Sequence, residues 1–120
     1  MLSTQSDESF PIFYMKKEVD YFHPTGTSED KIRVYFKKYR GKIAKFIIQY
    51  LGLINSRWRS IMRVDTCHGY AHIHTYHLAK KESVVKLSSN PEGNNKLFTI
   101  YKGYIIKNFK KIKDNFIFSK

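Results

Sequence analysis

The chain has 120 residues, 42% of them hydrophobic, with a single cysteine and a formal charge of +12. That length makes one domain able to bury a core without disulfide staples. The lone thiol, Cys67, excludes an internal disulfide and fits a reducing compartment. No apolar run approaches the ~20 residues that would span a bilayer.

Met1 to Glu8 is polar and acidic, unlike the charged-then-apolar start of a secretory signal. The expectation is therefore a cytoplasmic protein with no membrane partner.

Charge divides the chain. Residues 1–30 carry six acids against two lysines, a net −4, whereas residues 31–120 carry twenty basic residues against four acids, a net +16. A body this basic attracts phosphate backbones, so RNA or DNA is the expected partner. Abundant lysine, isoleucine, asparagine, phenylalanine and tyrosine also follow from A/T-rich coding, and part of the lysine is then plain solvated surface. Residues 1–29 read as an acidic N-terminal tail. Phe10, Ile12, Phe13, Tyr14, Tyr21 and Phe22 would order it in part, and Pro11, Pro24 and the Thr-Gly-Thr-Ser run would break it. Residues 30–120 read as a basic α+β domain.

From Lys31 the period is two. Ile32, Val34 and Phe36 alternate with Arg33, Tyr35 and Lys37, the mark of a half-buried strand. Arg40-Gly41 turns the chain. Ile43 to Ile54 (IAKFIIQYLGLI) is apolar on both parities and predicts a central strand covered on both faces, with Gly52 at a bulge or bend. Asn55-Ser56 turns again into a strand over Trp58–Asp65, with Trp58 expected in the core. Thr66 to Gly69 is turn-prone, Tyr70 to Leu78 is extended, and Asn90-Pro-Glu-Gly93 is a reverse turn. The period then changes: Ile105, Phe109, Ile112 and Phe116 predict an amphipathic helix from Tyr101 or Gly103 to Phe118. The fold class is α+β, an antiparallel meander of four or five strands packed by one C-terminal amphipathic helix.

Four of the five histidines, His68, His72, His74 and His77, fall within ten residues. Imidazole titrates near neutrality and can act as acid, base or metal ligand. On an extended Tyr70–Leu78 the side chains of Tyr70, His72, His74 and Tyr76 share one face, and His77 lies opposite. Asp65, a lone acid in a basic stretch, stands beside the histidine turn and could orient an imidazole. Three readings follow.

In the first, Asp65, His68 and His72 are the acid–base group of a metal-independent ribonuclease. Arg59 or Arg63 would steady the phosphorane, and Tyr70 and Tyr76 would stack bases. In the second, His72-x-His74 with His77 or His68 holds a metal, although H-x-H alone is a weak signal. In the third, the histidines are structural and the chain is a non-catalytic module that binds nucleic acid or protein. Outside the metal reading, His74 and His77 are taken as structural, and Cys67 as an inert thiol. The first reading is preferred, with no metal and no cofactor.

The segment Lys42 to His77 resembles a family of small bacterial and archaeal proteins of unknown function. That family carries a run like R-Y-D-T-A-H-G-x-A-H-R-D-x-x-H. Matching positions are Arg63, Asp65, Thr66, His68, Gly69, Ala71, His72 and His77. Val64 replaces the family's tyrosine, and Ile73-His74 replaces its Arg-Asp pair. The same D-x-x-H…H core is similar to that of the TumE-like toxins of toxin–antitoxin pairs. This second resemblance implies a basic toxin that attacks RNA and is neutralised by a helix-turn-helix antitoxin. A homodimer is compatible with all of these readings.

Overall fold

The computed structural model describes residues 16–67, 69–79, 82–88 and 90–118. Six strands run in chain order: β1 (Lys16–His23), β2 (Asp30–Tyr39), β3 (Lys42–Ile54), β4 (Arg57–Asp65), β5 (Ala71–Thr75) and β6 (Ser83–Ser88). Each pairs antiparallel with the next, giving one sheet of order β1-β2-β3-β4-β5-β6. A 3₁₀ turn, Pro91–Gly93, leads into helix α1 (Asn94–Phe118), which packs on one face of the sheet. The α+β meander with a C-terminal helix is as expected, but the strands among the described residues number six rather than four or five.

The two strands beyond the four that the sequence pattern places are the edges. β1 (KKEVDYFH) lies within the stretch read as tail, and β6 (SVVKLS) went unassigned. Edge strands bury little and blunt their free side with charge, which hides the alternation that marks a strand. Of the expected tail, residues 1–15 lie outside the described residues.

Two hairpins have two-residue loops whose central residues both take positive φ: Arg40 (54°) with Gly41 (77°), and Asn55 (51°) with Ser56 (66°). That geometry matches the twist of the strands it joins, and Gly41 adopts it without a Cβ penalty.

Register carries the core across the sheet. Ile32 pairs with Tyr50 and Tyr50 with Met62, while Val34 pairs with Ile48 and Ile48 with Val64. These side chains face α1, which lays Phe98, Ile105, Phe109, Ile112 and Phe116 over them. The stripe Ile105–Phe109–Ile112–Phe116 is the buried one expected from its spacing. The helix nevertheless begins seven residues before Tyr101, because the side chains of Asn94 and Asn95 fasten its first turn to β3. Asn94 Nδ2 donates to the Ile43 carbonyl at 3.1 Å, and the Ile43 N–H donates to Asn95 Oδ1 at 2.8 Å.

β3 is not covered on both faces: its buried residues alternate, with Ile47 and Leu51 only half-buried. Ile61 is the extra residue where the β3–β4 register shifts, and a Cβ on Gly52 would come 2.5 Å from its Cδ1. The bulge thus explains the glycine.

A second cluster staples β2, β3 and α1. Asp30 accepts the Tyr50 hydroxyl at 2.5 Å and the Thr27 hydroxyl at 2.6 Å, and Lys113 Nζ lies 3.4 Å away. No helix among the described residues is long and apolar enough to cross a membrane. Truncating Ile105, fully buried under the sheet, to alanine should cost about 2–5 kcal/mol. The check is a lower denaturant midpoint at unchanged slope.

Candidate functional site

Residues that alternate with the core point to the other, open face of the sheet. There the β4–β5 register sets Asp65 opposite His72 and Arg63 opposite His74. All four side chains share that face because β4 and β5 run without a bulge between these pairs. Asp65 is fully buried, and His72 and His74 are 6% and 8% exposed. The rings of Tyr70, His72, His74 and Tyr76 form a ladder with successive centroid distances of 4.4, 5.8 and 6.3 Å. His77 lies on the helix side, lining a cavity of about 50 Å³ with Asn115 and Phe116.

Asp65 is held from two sides. The Cys67 N–H donates to Oδ1 at 3.0 Å, and Arg63 Nε donates to Oδ2 at 2.5 Å. Burial pushes the carboxyl pKa up, but the Cys67 N–H and the Arg63 guanidinium outweigh it and keep the group below its ordinary value. Burial works against the Arg63 cation, and the Asp65 charge more than offsets it. Burial and the same carboxylate push the Cys67 thiol up, which argues against a reactive thiolate there.

His74 bridges two carboxylates. Its Nδ1 lies 3.0 Å from Glu82 Oε2, and its Nε2 lies 3.5 Å from Asp65 Oδ2. One ligand atom each from Asp65, His72 and His74 lies within 4.8 Å of the others, a spacing that suits one metal ion.

Of the residues singled out by sequence, Asp65, His72, Arg63, Tyr70 and Tyr76 come together on the open face. His68 lies outside the described residues. Arg59 does not join them: it pairs with Gly52, whose parity is that of the core, and its guanidinium lies 5.8 Å from the Phe116 ring on the helix side. His74, read as structural, stands in the centre of the cluster, and only its H-x-H spacing hinted at that. Glu82 gave no sequence signal, since it reaches His74 across the β5–β6 connection.

The sequence profile described as Domain of unknown function (DUF7718) matches residues 15–119. The chain belongs to that family. Neither a curated protein nor a solved structure matches it. In this DUF7718 chain the open face also carries a basic groove of about 340 Å³, lined by Arg33, Tyr35, Lys45, Ile47 and Cys67 among others. Arg33 is paired with Asp20 at 2.8 Å, and the Tyr35 hydroxyl donates to Glu18 at 2.7 Å, which raises the phenol's pKa to about 12. At the far end of the same face Trp58 is 39% exposed, contrary to its expected place in the core, and Phe22 is 58% exposed. Lys31 Nζ lies between them, 4.3 Å from the Trp58 ring centroid and 5.8 Å from that of Phe22.

Proposed function

We propose that the chain binds single-stranded nucleic acid, RNA foremost, across the open face of its sheet. The observation that carries this reading is the arrangement of exposed rings and cations on one surface. Phe22, Lys31 and Trp58 stand at one end, and the groove of Arg33, Tyr35 and Lys45 stands nearer the histidines. Single strands are held by base stacking on aromatic rings and by cations that follow the backbone, which is the chemistry this face offers. Glu18 and Asp20 temper the β1 side of that surface and leave Lys31 and Lys45 to supply the attraction.

A second reading, acid–base cleavage of RNA by a toxin-like protein, is favoured by the pairing of Asp65 with His72 beside Arg63. As folded, however, Asp65 is sealed and Arg63 is committed to it, so the geometry supports binding ahead of cleavage. A helix-turn-helix antitoxin belongs to this second reading alone.

Fluorescence anisotropy with a short unstructured oligoribonucleotide tests the proposal. Binding should weaken with salt at a slope of about −0.7 per phosphate neutralised. Trp58→Ala should cost one stacked base, about 5- to 100-fold in affinity, while Arg59→Ala on the helix side should leave affinity unchanged. Salt-insensitive binding, or equal losses in both variants, would overturn it. Running the same samples on a gel in EDTA separates the two readings: RNA cut by the wild type and left intact by His72→Ala would favour cleavage.

A further inference from the structure

The geometry points to a divalent transition-metal site formed by Asp65, His72 and His74, of which zinc and cobalt are the natural probes. This inference stands apart from the nucleic-acid reading. Two imidazoles and one carboxylate, each from a strand rather than a loop, place one ligand atom apiece within 4.8 Å of one another in a buried position. Late first-row ions favour such mixed nitrogen–oxygen sets, and three protein ligands leave a position for water or another small ligand.

The orientation of His74 is the second observation. Glu82 Oε2 lies 3.0 Å from its Nδ1. An ionised carboxylate can only accept, so Nδ1 acts as the donor toward Glu82, and Nε2 is the ring nitrogen turned toward Asp65. That Nε2 is buried, has no hydrogen-bond partner among the described residues, and sits 3.5 Å from Asp65 Oδ2. A cation between Nε2 and the Asp65 carboxylate makes this approach favourable, and a metal ion held by Asp65, His72 and His74 is such a cation. The arrangement carboxylate–imidazole–ion is the usual outer support of a metal ligand, which fixes its tautomer and direction. Asp65 retains capacity for the ion, because a carboxylate has about four acceptor positions and Arg63 and Cys67 occupy two.

The full chain, stripped with chelator and dialysed into metal-free buffer, should take up one Zn²⁺ per molecule by calorimetry. With Co²⁺ it should develop the visible absorption of a site with few ligands. His72→Gln and His74→Gln should abolish both signals. Glu82→Ala, at a side chain 43% exposed whose loss does not threaten the fold, should weaken binding about 10- to 100-fold. His77→Gln, on the opposite side of the sheet, should bind as the wild type does. The inference fails if the wild type takes up no stoichiometric metal. It fails equally if Glu82→Ala binds undiminished, or if His77→Gln loses as much as His74→Gln. RNA binding measured on the same stripped protein reports on the nucleic-acid reading by itself, so failure of one leaves the other standing.

Discussion

Replacing Asp65 by alanine should lower stability by about 3 kcal/mol, among the largest effects of any polar substitution in this chain. The side chain is fully buried on a face that the helix does not cover. Its loss leaves the Cys67 N–H without its acceptor and the Arg63 guanidinium without its counter-ion. Arg63 is part-exposed and water can solvate it once released, so its own truncation removes less solvation but strands a buried anion. The two single substitutions should therefore both be costly and strongly non-additive. Denaturant unfolding of Asp65→Ala, Arg63→Ala and the double variant, all in metal-free buffer, gives the coupling. A value of about 1–3 kcal/mol is expected for a pair in contact. Additive losses would mean that each side chain contributes through separate contacts. Metal must be kept out because an ion bound only by the folded state would add its own stabilisation.

What could be read without coordinates was the interior. The alternation of Ile32, Val34 and Phe36, the two turns at Arg40-Gly41 and Asn55-Ser56, and the stripe Ile105–Phe109–Ile112–Phe116 all reflect burial against a single layer, and burial writes itself as period. The edges were hidden for the converse reason. β1 and β6 bury little, so their residues are chosen by solubility and by the need to deter further pairing. The helix start leaves no local signal, because the asparagines that fix it act through hydrogen bonds to Ile43, 51 and 52 residues away.

The site divides along the same line. Cross-strand closeness of Asp65 and His72 follows from a short connection between two adjacent strands, so proximity in sequence was a fair guide. Arg59 was misplaced because the bulge at Ile61 puts two consecutive residues, Ile61 and Met62, on the helix side and so reverses the parity of everything before it. A one-residue irregularity of that kind leaves no mark in the alternation of Trp58 to Asp65. His74 looked dispensable until Glu82 appeared beside it, and no pattern in a single chain announces a contact across a loop.

Asp30→Ala should cost a comparable amount, about 3 kcal/mol, and it should do so in a pH-dependent way. Asp30 is nearly sealed between β2, β3 and α1, and three donors converge on it: Tyr50, Thr27 and Lys113. Burial alone pushes its pKa up, but the hydroxyls of Thr27 and Tyr50 and the Lys113 cation pull it back further, leaving it below the ordinary carboxylate value. A carboxyl whose pKa is lower folded than unfolded stabilises the fold fully above the unfolded value of about 4 and loses that contribution as pH falls through the folded value. Asp65 is displaced in the same direction and adds to the same acid limb, whereas Asp20, exposed on β1, contributes little despite its bond to Arg33. Thermal unfolding followed from neutrality down to strong acid should show the wild type constant above about pH 5 and falling steeply below about pH 4. Asp30→Ala should start lower and fall less, because one of the two groups responsible is gone. Tyr50→Phe should lie between them, since it removes one donor and leaves the carboxylate its lysine. A wild type whose melting point holds steady through the acid range would mean that neither buried carboxylate is stabilised in its ionised form, and the staple between sheet and helix would then have to rest on packing alone.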